Sequence, residues 1–365
     1  MKFCIVLSTR PEIIKLASLI KIFKKKKENF FLVNTNQHYT KIMSKVFFNH
    51  FNIPKPKYNI NANSSSYISF FSKSLKEIGN ILIKEKPNYL IVQGDTNTAL
   101  AGCLAGSIYN RHHLDNKKIK IVHVESGLRS FDEKMPEEIN RKIIDILSDI
   151  LFVPTKIDMD NLKNENLLKN KKILKSGNTI TDVVKSNLNL LNKNNILKKF
   201  QLKKRDYFLA TLHRPESVDN SVNFKKIIYA FNKISNLYKK KIIFPVHPRT
   251  EKILKKFKKK VNKNIIITKP LEYIDFLFLM KNCRIIFTDS GGIQEESSIL
   301  GIPCITTRTS TERQITLKSK VNIMTGYDQK KIIGAVRKFY NIKAKKLNLF
   351  GDGRVAEKIY KFLKK

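Results

Sequence analysis

Asp95 in QGDTNTA, Glu125 in HVESGLRS and Glu137 in MPEEINR are carboxylates in short polar stretches, each next to an apolar run or a helix start. Grouped carboxylates of this kind suit general acid/base work, in which one group takes a proton and another returns it. Further along, TLHRPE presents His213 and Arg214, and FPVHPRT presents His247 and Arg249. FTDSGGIQEESSILGIPC sets Ser290, Gly291 and Gly292 directly ahead of an amphipathic stretch. A helix start offers unpaired N–H groups and a partial positive charge, and glycines let a ligand come close to the backbone. The turn therefore reads either as an anion site or as a tight strand-to-helix connection. STRPEIIK adds Arg10 and Lys15 near the start of the chain.

Each feature taken alone has a plainer explanation. Asp95 can cap the helix that follows it, Glu137 and Glu138 suit a first helical turn, and a lone loop histidine is more often hydrogen-bonded than catalytic. Jointly they specify a cleft with acid/base groups on one wall and anion binders on the other. The arginines point the same way. In a chain that otherwise uses lysine, Arg10, Arg129, Arg141, Arg214, Arg249, Arg308 and Arg313 fall at strand ends or helix starts. There a planar fork suits phosphate or carboxylate. Glu137 and Arg141, four apart, share a helix face.

These residues need a frame that sets them side by side. In the first half, the apolar runs KFCIVLS, FFLVNT, YLIVQG, IKIVHVE and ILFVP read as strands. They alternate with helices from Pro11, over YISFFSKSLKEIGNILIKE, over NTALAGCLAGSIY, from Pro136, and over residues 156–168. The second half repeats the scheme with YFLATL, KIIFPVH, NIIIT, CRIIFTD and IPCITT. Continuous apolar strands between helices predict parallel sheets covered on both faces, hence an α/β protein of two Rossmann-like domains. The domains are expected at 1–176 and 177–349, dividing near KILKSGNTITDVV, with a last helix at 350–365 returning to the first domain. In such sheets ligands bind beyond the carboxyl ends of the strands, where nearly every residue named above falls.

A length of 365 residues agrees with two domains. The net charge of +41 is carried mostly by lysines dispersed in runs such as KIFKKKK and KKFKKK among asparagines. That pattern reads as compositional drift, and no nucleic-acid partner is expected. The N-terminal apolar run is too short for a signal peptide, and no stretch reaches the ~18 apolar residues of a membrane span, so a cytoplasmic protein without membrane insertion is expected. Cys4, Cys103, Cys283 and Cys304 lie far apart without metal-ligand spacing and read as buried thiols, with no metal expected. No G-x-G-x-x-G follows the first strand, so no nicotinamide cofactor is expected.

STRPEIIK, QGDTNTALAG, HVESGLRS, MPEEINR, TLHRPESVDN, FPVHPRT, TDSGGIQEESSILGIPC and STER occur in this order along most of the chain. In that set and order the chain resembles the non-hydrolysing UDP-N-acetylglucosamine 2-epimerases. The resemblance implies a glycosyltransferase-B-like fold, two Rossmann-like domains facing across a cleft, and a homodimer. It also implies a UDP-sugar substrate and no cofactor, with surface polysaccharide precursors as the product's destination. It assigns Asp95, Glu125 and Glu137 to acid/base catalysis and His213 to a catalytic role near the diphosphate. Arg10, Lys15, Arg141, His247, Phe276, Ser290, Gly291, Gly292, Glu296 and Arg313 become UDP-sugar contacts, with Glu296 gripping the ribose hydroxyls and Phe276 flanking the uracil. STRPE, Leu271 and the Gln314 of TERQ depart from the family's pattern without removing a charged catalytic group.

The implied chemistry explains the residue types. Inversion at C2 proceeds by elimination of UDP to a 2-acetamidoglucal and re-addition with protonation on the opposite face. That route needs a base, an acid and cations for the leaving group. The alternatives are a 2-epimerase of a modified UDP-sugar such as UDP-2,3-diacetamido-glucuronate, a hydrolysing epimerase, or a glycosyltransferase of the same fold. Some family members are activated by a second substrate molecule. Here NQHYTKIM keeps Gln37 and His38, but Pro215 follows Arg214, which implies weak or absent activation.

Overall fold

A computed structural model describes residues 1–36, 48, 50–62, 66–113, 117–188, 195–257, 261–342 and 346–365; Gln37 and His38 lie outside the described residues. The chain divides into two compact units, Met1–Val183 with Phe350–Lys365, and Val184–Leu349. Each is an α/β unit built on a parallel sheet.

Among the described residues, the first unit's sheet has seven strands: β1 (Lys2–Leu7), β2 (Asn29–Asn34), β3 (Tyr58–Asn59), β4 (Tyr89–Gln93), β5 (Lys120–Val124), β6 (Ile150–Val153) and β7 (Lys172–Lys175). Their spatial order is β3-β2-β1-β4-β5-β6-β7, every pairing parallel. The central strands are apolar throughout because helices cover both faces: Phe3 to Leu7 of β1 and Ile150 to Val153 of β6 are all buried. Cys4, Val6, Val33, Leu82, Leu90 and Val92 belong to one packed cluster on this sheet.

The second unit's sheet contains β8 (Tyr207–Thr211), β9 (Lys241–Pro245), β10 (Ile265–Thr268), β11 (Ile286–Thr288), β12 (Cys304–Thr306) and β13 (Asn322–Met324). It is ordered β10-β9-β8-β11-β12-β13, again all parallel. Phe208, Phe231 and Phe287 fill its core, the rings of Phe231 and Phe287 centred 4.9 Å apart.

Both orders reverse beside the unit's first strand, between β1 and β4 and between β8 and β11. Connections leave such a point in opposite directions and open a crevice at the carboxyl ends of the strands. β3, β7 and β13 were not among the expected strands, and all three are edge strands. A strand with one neighbour needs no long apolar run, and none of the three has one.

The C-terminal helix Val355–Leu363 packs within the first unit. The Asp182 carboxylate accepts from Val355 N and Ala356 N at 2.9 and 2.7 Å, satisfying N–H groups at the helix start. Tyr360 meets Phe23 edge-on at 5.9 Å and donates to Glu28. The four cysteines are buried thiols, as the sequence reading expects. Among the described residues, no helix is long and apolar enough to cross a membrane.

Candidate active site

In the first unit the chemistry gathers where β1, β4 and β5, neighbours in the sheet, end. Arg10 follows β1 and opens the helix Arg10–Lys25, with Pro11 in its first turn. Glu12 in the same turn is buried. Its Oε2 accepts from the backbone N–H groups of Ser8 and Thr9 at 3.0 and 2.6 Å, and its Oε1 accepts from the Thr96 hydroxyl at 2.6 Å. Burial pushes the Glu12 carboxyl up, against the pull of these donors. One carboxylate thus ties the turn carrying Arg10 to the turn carrying Asp95.

Thr96, not Asp95, caps the helix Asn97–His112, accepting from Ala99 N. The Asp95 side chain goes to Arg141, whose Nε and Nη2 reach Oδ2 at 2.9 and 2.6 Å. Arg141 also pairs with Glu138, three residues earlier on the helix Pro136–Leu147. Glu138 has a positioning role of its own, accepting from Ser130 N, Ser130 Oγ and Phe131 N. Glu137 beside it is half-buried in the helix's first turn, where the helix dipole favours a negative charge.

Glu125 follows β5 with φ +75°, a left-handed conformation costing roughly 1–2 kcal/mol for a side chain with a Cβ. Its N–H and that of Ser126 both donate to the Phe152 carbonyl. Lys15 Nζ lies 2.7 and 2.5 Å from its two carboxylate oxygens, and Gln93 Nε2 donates to Oε2 at 2.7 Å. Lys15, named above as a diphosphate contact, therefore sits on Glu125 in this structure, with both side chains buried. Strain of this kind is kept where the surrounding structure over-determines it, often at functional sites.

In the second unit His213 follows β8. Its Nδ1 is 3.0 Å from Asp289 Oδ1, and Asp289 also accepts from the backbone N–H groups of His213 and Arg214. Burial would raise the Asp289 carboxyl, but His213 and the backbone donors outweigh it and hold it below the usual carboxylate range. An Nδ1–H directed at a carboxylate assigns chemistry at this ring to Nε2. The exposed His247 ring stands 5.9 Å from that of His213. Thr250 Oγ1 donates to the Leu212 carbonyl and so joins the segment after β9 to the segment after β8.

Ser290 precedes the helix Gly291–Leu300 as its N-cap. A Cβ on Gly291 would run into the buried Glu312 carboxylate, which would have to shift. Arg313 is buried, its Nε 2.5 Å from Glu295 Oε1 and its Nη1 3.1 Å from Glu312 Oε1; Arg308 Nη2 reaches the other oxygen of Glu312 at 3.3 Å. Glu296 is buried and accepts from the Tyr273 hydroxyl at 3.0 Å. Tyr273 and Phe276 lie three apart on the helix Tyr273–Asn282, on one side of it. Gly292 is half-buried at the helix start.

Arg10, Lys15, Asp95, Glu125, Glu137 and Arg141 are thus brought to one end of the first sheet. His213, His247, Phe276, Ser290, Gly291, Gly292, Glu296 and Arg313 occupy the corresponding end of the second. Glu12, Gln93, Asp289 and Glu295 were not singled out in the sequence, and Glu138 was read only as a first-turn carboxylate. All five stand within the quoted motifs, but nothing in their spacing announces their partners. Arg129, one of the seven arginines, turns its fork to a carboxylate: Nε and Nη2 bind Glu165 at 2.7 and 2.6 Å.

A family model for UDP-N-acetylglucosamine 2-epimerase matches residues 21–364. A Methanocaldococcus jannaschii protein named UDP-N-acetylglucosamine 2-epimerase is 46% identical, over 100% of this chain and 99% of its own. A crystal structure of the M. jannaschii UDP-GlcNAc 2-epimerase in complex with UDP-GlcNAc and UDP superposes with a TM-score of 0.90 at 46% identity, covering 100% and 99% of the two chains. A Pseudomonas aeruginosa UDP-2,3-diacetamido-2,3-dideoxy-D-glucuronate 2-epimerase is 34% identical over 100% of both chains.

Proposed function

The chain belongs to the UDP-N-acetylglucosamine 2-epimerase family, and from that premise we propose that it interconverts UDP-N-acetylglucosamine and UDP-N-acetylmannosamine without hydrolysing them. The greater identity to the M. jannaschii relative named for UDP-GlcNAc, 46%, than to the one named for a diacetamido-glucuronate, 34%, favours the unmodified sugar. The observation that carries the reading is the set of carboxylates at the ends of β4 and β5 and on the helix Pro136–Leu147, two of them held by cations, Asp95 by Arg141 and Glu125 by Lys15.

The reaction proceeds in two halves. A carboxylate takes the proton from C2, the C–H electron pair forms the C1–C2 double bond, and the C1–O bond to the diphosphate breaks. UDP and 2-acetamidoglucal result. UDP oxygen then adds back to C1 while a second group delivers a proton to the opposite face of C2. Asp95 and Glu137 serve the elimination and Glu125 the return addition. The adjoining Lys15 ammonium and Arg141 guanidinium supply compensating charge as protons move between these groups.

UDP is held by the second unit. The backbone N–H groups of Gly291 and Gly292 at the helix start, the Arg313 guanidinium and His213 Nε2 are suited to its negative charge as it departs. Glu296 accepts from the ribose hydroxyls, and Phe276 lies against the uracil. The enzyme works as a cytoplasmic homodimer supplying surface polysaccharide precursors; light scattering on the purified protein tests the dimer. Incubation with UDP-GlcNAc alone, followed by separation of the nucleotide sugars, tests the activity. A mixture of the gluco and manno UDP-sugars supports it. Free N-acetylmannosamine would indicate a hydrolysing enzyme, and no reaction until an acceptor is added would indicate a transferase.

A further inference from the structure

Beneath the carboxylates of the first unit lies a buried charge cluster that the reaction scheme leaves unused. His123, in β5, and Asp145, near the end of the helix Pro136–Leu147, are both fully buried. His123 Nδ1 is 2.7 Å from Asp145 Oδ1, and Nε2 is 2.9 Å from the carbonyl oxygen of Gly94. A carbonyl oxygen only accepts, so Nε2 donates. Asp145 Oδ2 accepts from Gly127 N at 3.1 Å and faces Arg129 Nη1 at 2.8 Å. Burial alone would raise the Asp145 carboxyl, but His123 and Arg129 outweigh it and hold it below the usual range. Nδ1 faces the carboxylate, so the ring's two nitrogens join two separate segments.

The connections made by this pair reach all three catalytic segments. Gly94 immediately precedes Asp95. His123, in β5, lies two residues before Glu125, which follows that strand, and Gly127 two residues after it, so Glu125 sits between two anchored points in its left-handed turn. Asp145 belongs to the helix that carries Glu137. On that helix Asn140 also donates to the Asp95 carbonyl at 2.9 Å, and Arg141 pairs with the Asp95 carboxylate. We propose that the His123–Asp145 pair is a positioning device for the acid/base chemistry, fixing Asp95, Glu125 and Glu137 relative to one another so that elimination and return addition use one geometry. This rests on the epimerase function proposed above.

The arrangement has a physical reason. Removing a proton from one face of C2 and delivering one to the other requires two groups held on opposite sides of the sugar, and a misplacement of about 1 Å can cost about 100-fold in rate. Segments after separate strands have no covalent link that fixes their spacing. A buried, hydrogen-bonded side-chain pair supplies one, because breaking it leaves unsatisfied polar groups in the interior.

The test compares wild type, His123→Gln and Asp145→Asn in the full-length protein with UDP-GlcNAc as substrate. Asp145→Asn changes volume little and keeps the test open where His123→Gln lowers the folded yield. Melting temperature, kcat, KM and the amount of free UDP and glucal per epimer formed are measured together, with rates taken per folded molecule. The expected result is a kcat lowered on the order of 10 to 100-fold, a KM within about twofold of wild type, and a larger released fraction of UDP and glucal. Variants whose folded fraction turns over like wild type, or in which only KM changes, overturn the proposal. A wild type that does not epimerise the substrate refutes the function on which it rests, a result distinct from a working wild type with indifferent variants.

Discussion

At the residue scale, the three carboxylates proposed to act as acid and base are expected to differ in kind. Asp95→Asn, Glu125→Gln and Glu137→Gln remove charge with little change in volume, and loss of a general acid or base typically costs about 10² to 10⁴-fold. Glu125→Gln should release UDP and glucal, while the other two should hardly consume substrate. Since Thr96 caps the helix, Asp95→Asn removes no cap, so its melting temperature read beside turnover separates chemistry from stability. Full activity in all three variants would refute this site. Arg313→Lys should weaken UDP binding although the charge remains, because a lysine cannot hold Glu295 and Glu312 and still present a planar fork. Unchanged affinity by calorimetry would reduce Arg313 to a partner of those two glutamates. The placement of Asp95, Glu125 and His213 just after strands was legible in the sequence, because an apolar run precedes each of them. The roles of Glu138, Asp289 and Asp145 were not, because they lie in partners that only folding brings near: Ser130, His213 and His123.

At the element scale, the central strands and the long helices were legible because burial on both faces demands unbroken apolar runs and because Pro11 and Pro136 mark helix starts. β3 was not, since two residues with one neighbour leave no pattern. Besides its pairing with β2, a side chain ties β3 down: Glu85, the last residue of the helix Tyr67–Glu85, takes Lys2 of β1, Lys57 and Tyr58. These donors pull the Glu85 carboxyl down to about 2. A carboxylate depressed in the folded state contributes its full stability above its unfolded value of about 4.3 and loses it as pH falls toward the folded value. Glu85→Gln should therefore be less stable than wild type at neutral pH, with the gap closing between about pH 4 and pH 2. Urea denaturation of both proteins across that range checks this, and a gap independent of pH would show that Glu85 acts by packing alone.

At the scale of the whole molecule, two repetitions of one strand-and-helix scheme predicted two parallel α/β units, and that is the architecture observed. Strand order within each sheet was not readable, because apolar runs say that a strand is buried and not which strand lies beside it. The charge of +41 says little about fold or site, since the few arginines with buried partners do the positioning and the many lysines lie mostly on the surface. The central claim is that this protein inverts C2 of UDP-GlcNAc by elimination and re-addition. Incubation with UDP-GlcNAc in heavy water followed by proton NMR tests it most directly. The account predicts a gluco and manno mixture of UDP-sugars with deuterium at C2. A manno product that retains its original C2 proton would contradict elimination, and absence of any manno product would contradict the assignment of this substrate.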